Sequence, residues 1–145
     1  MAEPNGHKGE IFGVWRLVSA QVHMEKDGAV IDVHGRNPLG FVIFDPSGRM
    51  MAIITNSGGA APANDAESAA LYRGMTAYTG YYTIQENTVV TMPDVAWHPN
   101  WENTEQRRFL ELSGDKLTLS TPVQEHPSSP GQIGRAVLTW VRERT

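Results

Sequence analysis

Short runs of alternating apolar and polar residues recur along the chain, and each run ends at a turn signal. Lys26-Asp27-Gly28 separates residues 15–24 from 29–34, and Asp45-Pro46-Ser47-Gly48 separates 40–44 from 49–55. Gln85-Glu86-Asn87 and Ser113-Gly114-Asp115 do the same for the pairs 81–84 with 88–92 and 107–112 with 116–121. Each signal puts Gly, Asp or Asn where a hairpin needs positive φ or a local side-chain bond. The flanking runs are rich in Val, Ile, Thr and aromatics. Several alternate cleanly, as in Leu117-Thr118-Leu119-Ser120 and Val137-Leu138-Thr139-Trp140-Val141. Many short strands joined by tight turns predict an all-β, antiparallel sandwich or barrel.

One segment breaks the two-residue period. Asn64 with Glu67 three residues later forms a capping-box pattern, and Leu71 and Met75 then share a helical face. This predicts one inserted helix near residues 65–77. The preceding Gly/Pro-rich residues 57–63 suit a mobile loop, so helix and loop read as a lid or as a plain plug of a barrel end. Residues 124–134, with two prolines, two serines and two glycines, read as a long surface loop before the last strand. No repeat or linker is visible. The expected organisation is a flexible tail over residues 1–10 and one domain over 11–145.

Composition narrows the classes. A chain of 145 residues, 40% hydrophobic and 19% charged, suits one globular core. The net charge of −4 and the lack of any basic stripe longer than Arg107-Arg108 exclude a nucleic-acid partner. No apolar run approaches the ~20 residues of a membrane helix, and the polar first ten residues do not read as a targeting signal. With no cysteine, the cytoplasm is the expected compartment. The histidines stand at 7, 23, 34, 98 and 126, without the spacing of a local metal clip, so no metal is expected. No phosphate loop, dinucleotide fingerprint or Gly-x-Ser-x-Gly is present, and no cofactor is expected.

Four local patterns carry a resemblance. Gly13-Val14-Trp15-Arg16-Leu17-Val18-Ser19 opens the domain. Asn37-Pro38-Leu39-Gly40 leads into a strand ending at Phe44 and then Asp45-Pro46-Ser47-Gly48-Arg49-Met50. Tyr78-Thr79-Gly80-Tyr81-Tyr82-Thr83-Ile84 follows the helix. Pro99-Asn100-Trp101 and Thr104-Glu105-Gln106-Arg107-Arg108 precede Gly114-Asp115-Lys116-Leu117-Thr118-Leu119. In this order and spacing, over residues 13–142, the chain resembles the lipocalin-like domain family of bacteria and fungi. The resemblance implies a single up-and-down lipocalin-like β-barrel of about eight strands. It also implies an interior that holds a small apolar metabolite, and similarity to cofactor-free isomerases and cyclases of natural-product pathways. Many members carry histidine in the strand before Pro-Asn-Trp. Here residues 88–96 have none.

Alternation sorts candidate site residues by face. Gln106 and Arg108 share the face of Leu110 and Leu112, so Arg108 reads as an inward cation that anchors a ligand oxygen or a structural acceptor. Tyr78 and Tyr82 share a face with Ile84; a phenol there contacts ligand or caps the rim. Trp97-His98-Pro99-Asn100-Trp101 places a histidine between two indoles at an expected edge or bulge, and His98 is a candidate proton shuttle. Asp94 lies two residues from Met92, and an inward Asp94 near Arg108 would make an acid–base pair. Phe44, His34 and Asn37 are expected at the pocket. The proposed catalytic set is Arg108, Asp94, His98 and Tyr82. Ligand contacts are expected from Trp97, Trp101, Tyr78, Gln106, Met92, Phe44, His34 and Asn37. Trp15, Trp140 and Arg142 read as structural. The expected function is a cofactor-independent isomerase or cyclase, with a non-catalytic small-molecule carrier as the alternative. The stretch 93–99, read as an exposed edge, suggests a homodimer.

Overall fold

The computed structural model describes residues 8–56, 59–125, 131 and 133–144. In chain order the elements are α1 (Lys8–Ile11), β1 (Gly13–Met24), β2 (Val30–Asp32), β3 (Leu39–Phe44), β4 (Arg49–Thr55), α2 (Asp65–Arg73), β5 (Thr76–Gln85), β6 (Thr88–Ala96), a 3-10 turn (Pro99–Trp101), β7 (Gln106–Ser113), β8 (Lys116–Ser120), β9 (Gln124–Glu125) and β10 (Ile133–Arg142). The predicted hairpins form at the predicted turns. Gly48 takes φ 98° and Gly114 φ 59°, values that the turns require and that glycine adopts without a Cβ penalty.

Every strand pairs antiparallel with its neighbours, in the order β2-β1-β3-β4-β5-β6-β7-β8-β10-β9. β10 also pairs with β1, Leu17 opposite Trp140, and closes the sheet into an eight-stranded barrel. β2 and β9 are short additions at one end. Inward positions carry the core, seen in the strict alternation of β3, where Gly40, Val42 and Phe44 are buried. The outer face of β3 and β4 is also apolar: Leu39, Phe41, Ile43, Met51 and Ile53 are 39–58% exposed. On these strands facing is decided by position in the pleat and not by polarity.

The two ends differ. At one, the β3–β4, β5–β6 and β7–β8 hairpins meet α1. Trp15 Nε1 donates to the Ile11 carbonyl at 2.9 Å, and the Arg142 guanidinium lies 4.2 Å from the Trp15 ring centroid. Arg142 Nη1 donates to the Phe12 carbonyl at 2.8 Å. This end is closed, and Trp15 and Arg142 have the structural roles expected of them. At the other end stand α2, the 3-10 turn and the segment 33–38.

Some boundaries move. The tail expected over 1–10 lies outside the described residues through His7, and the backbone of 8–10 belongs to α1. The helix stops at Arg73, capped by Gly74, because Thr76 and Ala77 pair with Ile54 and Ile53 of β4. Its capping box is present: Asn64 Oδ1 accepts from Glu67 N, and Glu67 accepts from Ala63 N, both at 2.9 Å. α2 buries none of its residues, so Leu71 does not reach the core. Within the expected loop 124–134, Gln124–Glu125 form β9 and Ile133–Gly134 belong to β10, while 126–130 and 132 lie outside the described residues. The stretch 93–99 is no bare edge. β6 pairs with β5 through Ala96, and on its other side Asn103 N donates to the Pro93 carbonyl at 2.8 Å. Among the described residues, no helix is long and apolar enough to cross a membrane.

Candidate functional site

Inward positions of the barrel strands enclose a cavity of about 70 Å³. At ~10–15 Å³ per water on that measure, this is room for roughly five to seven waters, the scale of one substituted ring. The walls are mainly aliphatic, with Val42, Ala52, Ile54, Val89 and Leu119 among them, and Phe44 and Trp140 line it as well. Polar side chains are few: His34, Thr76, Tyr78, Thr91, Arg108 and Thr121. Among the described residues, no Asp or Glu lines the cavity. Trp140 is only 2% exposed, and its indole Nε1 has no hydrogen-bond partner among the described residues. A buried orphan donor is rare and destabilising, and such groups cluster at ligand sites.

Tyr78, Trp101 and Arg108 form one group. β5 delivers Tyr78, β7 delivers Arg108, and the 3-10 turn delivers Trp101. The Tyr78 and Trp101 rings meet edge-on at 5.1 Å, and Arg108 lies over Trp101 with its Cζ 5.6 Å from the ring centroid. Arg108 donates from Nη1 to the Arg107 carbonyl (2.8 Å) and from Nη2 to Gln106 Oε1 (3.3 Å). Gln106 is itself turned by donating to the Thr104 carbonyl at 3.4 Å. Gln106 therefore orients the guanidinium without lining the cavity.

His34 is the second polar group. It is buried, and its Nδ1 lies 3.0 Å from Asn56 Oδ1. The ring is also hydrogen-bonded to the Gly74 backbone. Asn56 follows β4 and Gly74 ends α2, so one imidazole stands beside both the end of β4 and the end of α2. Burial holds its pKa below the usual histidine value, and the bonds to Asn56 and Gly74 oppose that shift without reversing it.

α2 is tied to the segment that follows β6. Tyr72 of α2 donates its hydroxyl to the Trp97 carbonyl at 2.7 Å, and Trp97 Nε1 donates back to the Tyr72 carbonyl at 3.2 Å. Trp97 meets Trp101 edge-on at 5.0 Å, which connects this pair to the cavity wall. Nothing in the periodicity singled out Tyr72, because it is an exposed helical residue.

Of the residues picked from the sequence, Arg108, Tyr78, Trp101, Phe44 and His34 line the cavity. The others do not. Asp94 and Met92 point outward, and Asp94 pairs with Arg49 at 2.8 Å on the outer face. The reason is local: Thr91 and Pro93 take the inward positions, and a bulge opposite Thr79 and Gly80 leaves Asp94 without a strand partner. The Arg49 guanidinium holds the Asp94 carboxyl below its ordinary range. The inward Asp94–Arg108 pair is thus not formed.

His98 lies beyond the end of β6, where its Nδ1 accepts from Asn100 N at 3.2 Å and its ring stacks on Tyr72. Trp97 is bonded to Tyr72 of α2. Tyr82 faces inward but near the closed end, against Phe44, with its hydroxyl donating to the Asp45 carbonyl at 3.1 Å. Burial, and then the nearby Asp45 charge, pushes its phenol up to about 12. Asn37 is exposed and outside the lining. Thr76, Thr91 and Thr121 are not among the residues picked from the sequence; strict inward counting by two from Tyr78, Val89 and Leu119 finds them. Among the described residues, no group of three or more acidic, histidine or cysteine side chains could hold a metal.

A closed antiparallel barrel around a mostly apolar cavity is the lipocalin-like architecture. The sequence comparison is more specific: a family model described as the lipocalin-like domain matches residues 12–143, and the chain belongs to that family. A relative from Aspergillus oryzae (strain ATCC 42149 / RIB 40) is called 4'-hydroxy-3'-methoxypropiophenone carrier protein ppsC. It is 35% identical over 85 residues, covering 52% of this chain and 74% of the relative. The crystal structure of an uncharacterized protein from Bacteroides eggerthii DSM 20697 is similar at a TM-score of 0.47 and 16% identity, covering 92% of this chain and 99% of that one.

Proposed function

We propose that the protein binds one small, mostly apolar molecule of single-ring size inside the barrel and carries it chemically unchanged. The observation that carries this reading is the cavity itself: inside the barrel, lined mainly by aliphatic and aromatic side chains, and without a carboxylate among the described residues. The name of the Aspergillus oryzae relative, a carrier of a phenyl ketone, supports the same reading. Isomerisation or cyclisation needs a base and an acid held within reach of one substrate. Asp94 and His98 stand outside the cavity, and Tyr82 is engaged at the closed end. His34 is then the one candidate base on the wall, and it already bonds Asn56.

The test is a titration with 4'-hydroxy-3'-methoxypropiophenone and related one-ring ketones, read by the fluorescence of Trp101 and Trp140, which both line the cavity. Saturable one-site binding, with the compound recovered intact by mass spectrometry after prolonged incubation, is expected. Conversion to an isomeric or dehydrated product would replace the carrier with the enzyme reading. No binding by any compound of this class would remove the carrier reading.

A further inference from the structure

Arg108 has an unusual environment in this molecule. Arg16, Arg49, Arg107, Arg142 and Arg144 each pair with a carboxylate, and Arg36, Arg73 and Arg135, which pair with none among the described residues, are exposed and do not line the cavity. Arg108 pairs with none among the described residues; its acceptors are one backbone carbonyl and one neutral amide oxygen. It is half-buried on the cavity wall, and no acid among the described residues lines that wall. A guanidinium so placed has lost part of its hydration without a counter-charge. The remaining N–H donors of its fork have no acceptor among the described residues. The fork is held in one orientation by Gln106, itself anchored on Thr104, and by the Trp101 face beneath it. Thr91, on the neighbouring strand, adds a hydroxyl to the same wall. An oriented, uncompensated cation beside an aromatic floor is complementary to an aromatic or conjugated body bearing an oxyanion.

We infer that the cargo is an aromatic oxygen acid, a carboxylate or an acidic phenol or enol, whose anionic oxygen is held by Arg108 while its ring lies against Trp101 and Tyr78. This rests on the carrier reading above and narrows it from an apolar molecule to an amphiphilic one.

The experiment compares two probes with one body, 3-phenylpropionate and its neutral primary amide, by calorimetric titration of the full chain. Wild type is expected to bind the acid at least about tenfold more tightly, the scale of one charge-assisted hydrogen bond. Arg108→Gln is expected to erase that preference, bringing the affinities for acid and amide within about twofold of each other. Arg108→Lys, which keeps the charge and loses the fork, is expected to recover part of the preference. The wild-type comparison needs no variant, so it stands even if a substitution perturbs folding. Equal affinity of wild type for both probes overturns the assignment and leaves the carrier reading intact. So does a preference that survives Arg108→Gln. Failure of both probes to bind overturns the assignment to Arg108, and the carrier reading falls with it only if the propiophenone also fails to bind.

Discussion

Ala52→Leu is the sharpest probe of the cavity. Ala52 is 5% exposed, lines the cavity from β4, and lies between Val42 of β3 and Tyr78 of β5. Leucine adds three carbons. Placed in space that is already empty, they contribute at most about 2.4 kcal/mol at ~0.8 kcal/mol per buried carbon. Fitting them against the existing wall offsets part of this, since overpacking costs about 1–3 kcal/mol where no space exists. The expected net is a stabilisation of about 1 kcal/mol, or a rise in Tm of about 2–4 °C for a domain of this size. The same three carbons are denied to the cargo. Excluding an equal amount of ligand burial weakens binding by about 2.4 kcal/mol, roughly fiftyfold. Urea denaturation gives the first quantity, and titration with the propiophenone gives the second. Stability and affinity should move in opposite directions, as they do when a protein keeps a void for function. A variant destabilised by more than about 1 kcal/mol with unchanged affinity would refute the reasoning. It would mean that Ala52 faces packed neighbours and that the cargo binds elsewhere.

Three further outcomes are expected. Arg142→Met removes the stacking on Trp15 and the bond to the Phe12 carbonyl, and should lower stability by about 2–4 kcal/mol in urea denaturation without changing ligand affinity. Tyr72→Phe removes one bond between α2 and Trp97 and should speed ligand dissociation several-fold in stopped-flow displacement while shifting Tm little, because the site is exposed. His34, held neutral by burial, has a folded pKa below its unfolded value near 6.5. As pH falls below 6.5 the unfolded chain takes up a proton that the folded chain does not. The stability due to this group is therefore full above 6.5 and is lost as pH falls through the lower folded pKa. His34→Gln should flatten that decline in denaturation series run above the carboxylate range; an unchanged slope would show that His34 is not its source.

The architecture was legible because turn chemistry and strand period agree. Asp45 to Gly48 and Ser113 to Asp115 mark hairpins by local rules, and Asn64 with Glu67 marks a helix start. Arg108 could be placed inward by counting two residues back from Leu110, since β7 runs without interruption. β6 could not be read that way. Its outward residues include Met92, and the neighbouring outer face carries Phe41, Ile53 and Tyr81, so polarity does not separate inside from outside. The bulge that leaves Asp94 unpaired depends on Gly80, where a Cβ would lie 2.2 Å from the Met92 carbonyl oxygen. That close approach is a contact between distant residues, and no local pattern encodes it. Tyr82 was placed on the correct face, but depth along the barrel axis is a property of all strands together. His98 was misjudged because the strand ends before it.

The two ends of the barrel are held by different kinds of interaction, and this bears on how the protein could work. The closed end is fixed by a buried indole bond, a cation over an aromatic ring and a charged donor on a backbone carbonyl. At the other end stands α2, a helix that buries none of its residues. Two reciprocal bonds between Tyr72 and Trp97 and one imidazole at its base hold that helix. Hydrogen bonds at exposed sites are each worth little net, so α2 is held less firmly than the closed end. Trp97 touches Trp101, which floors the proposed ligand site. The Tyr72–Trp97 pair and the proposed cargo would therefore share one aromatic wall. A bound ring pressed on Trp101 would then favour the arrangement in which the Tyr72–Trp97 bonds are formed.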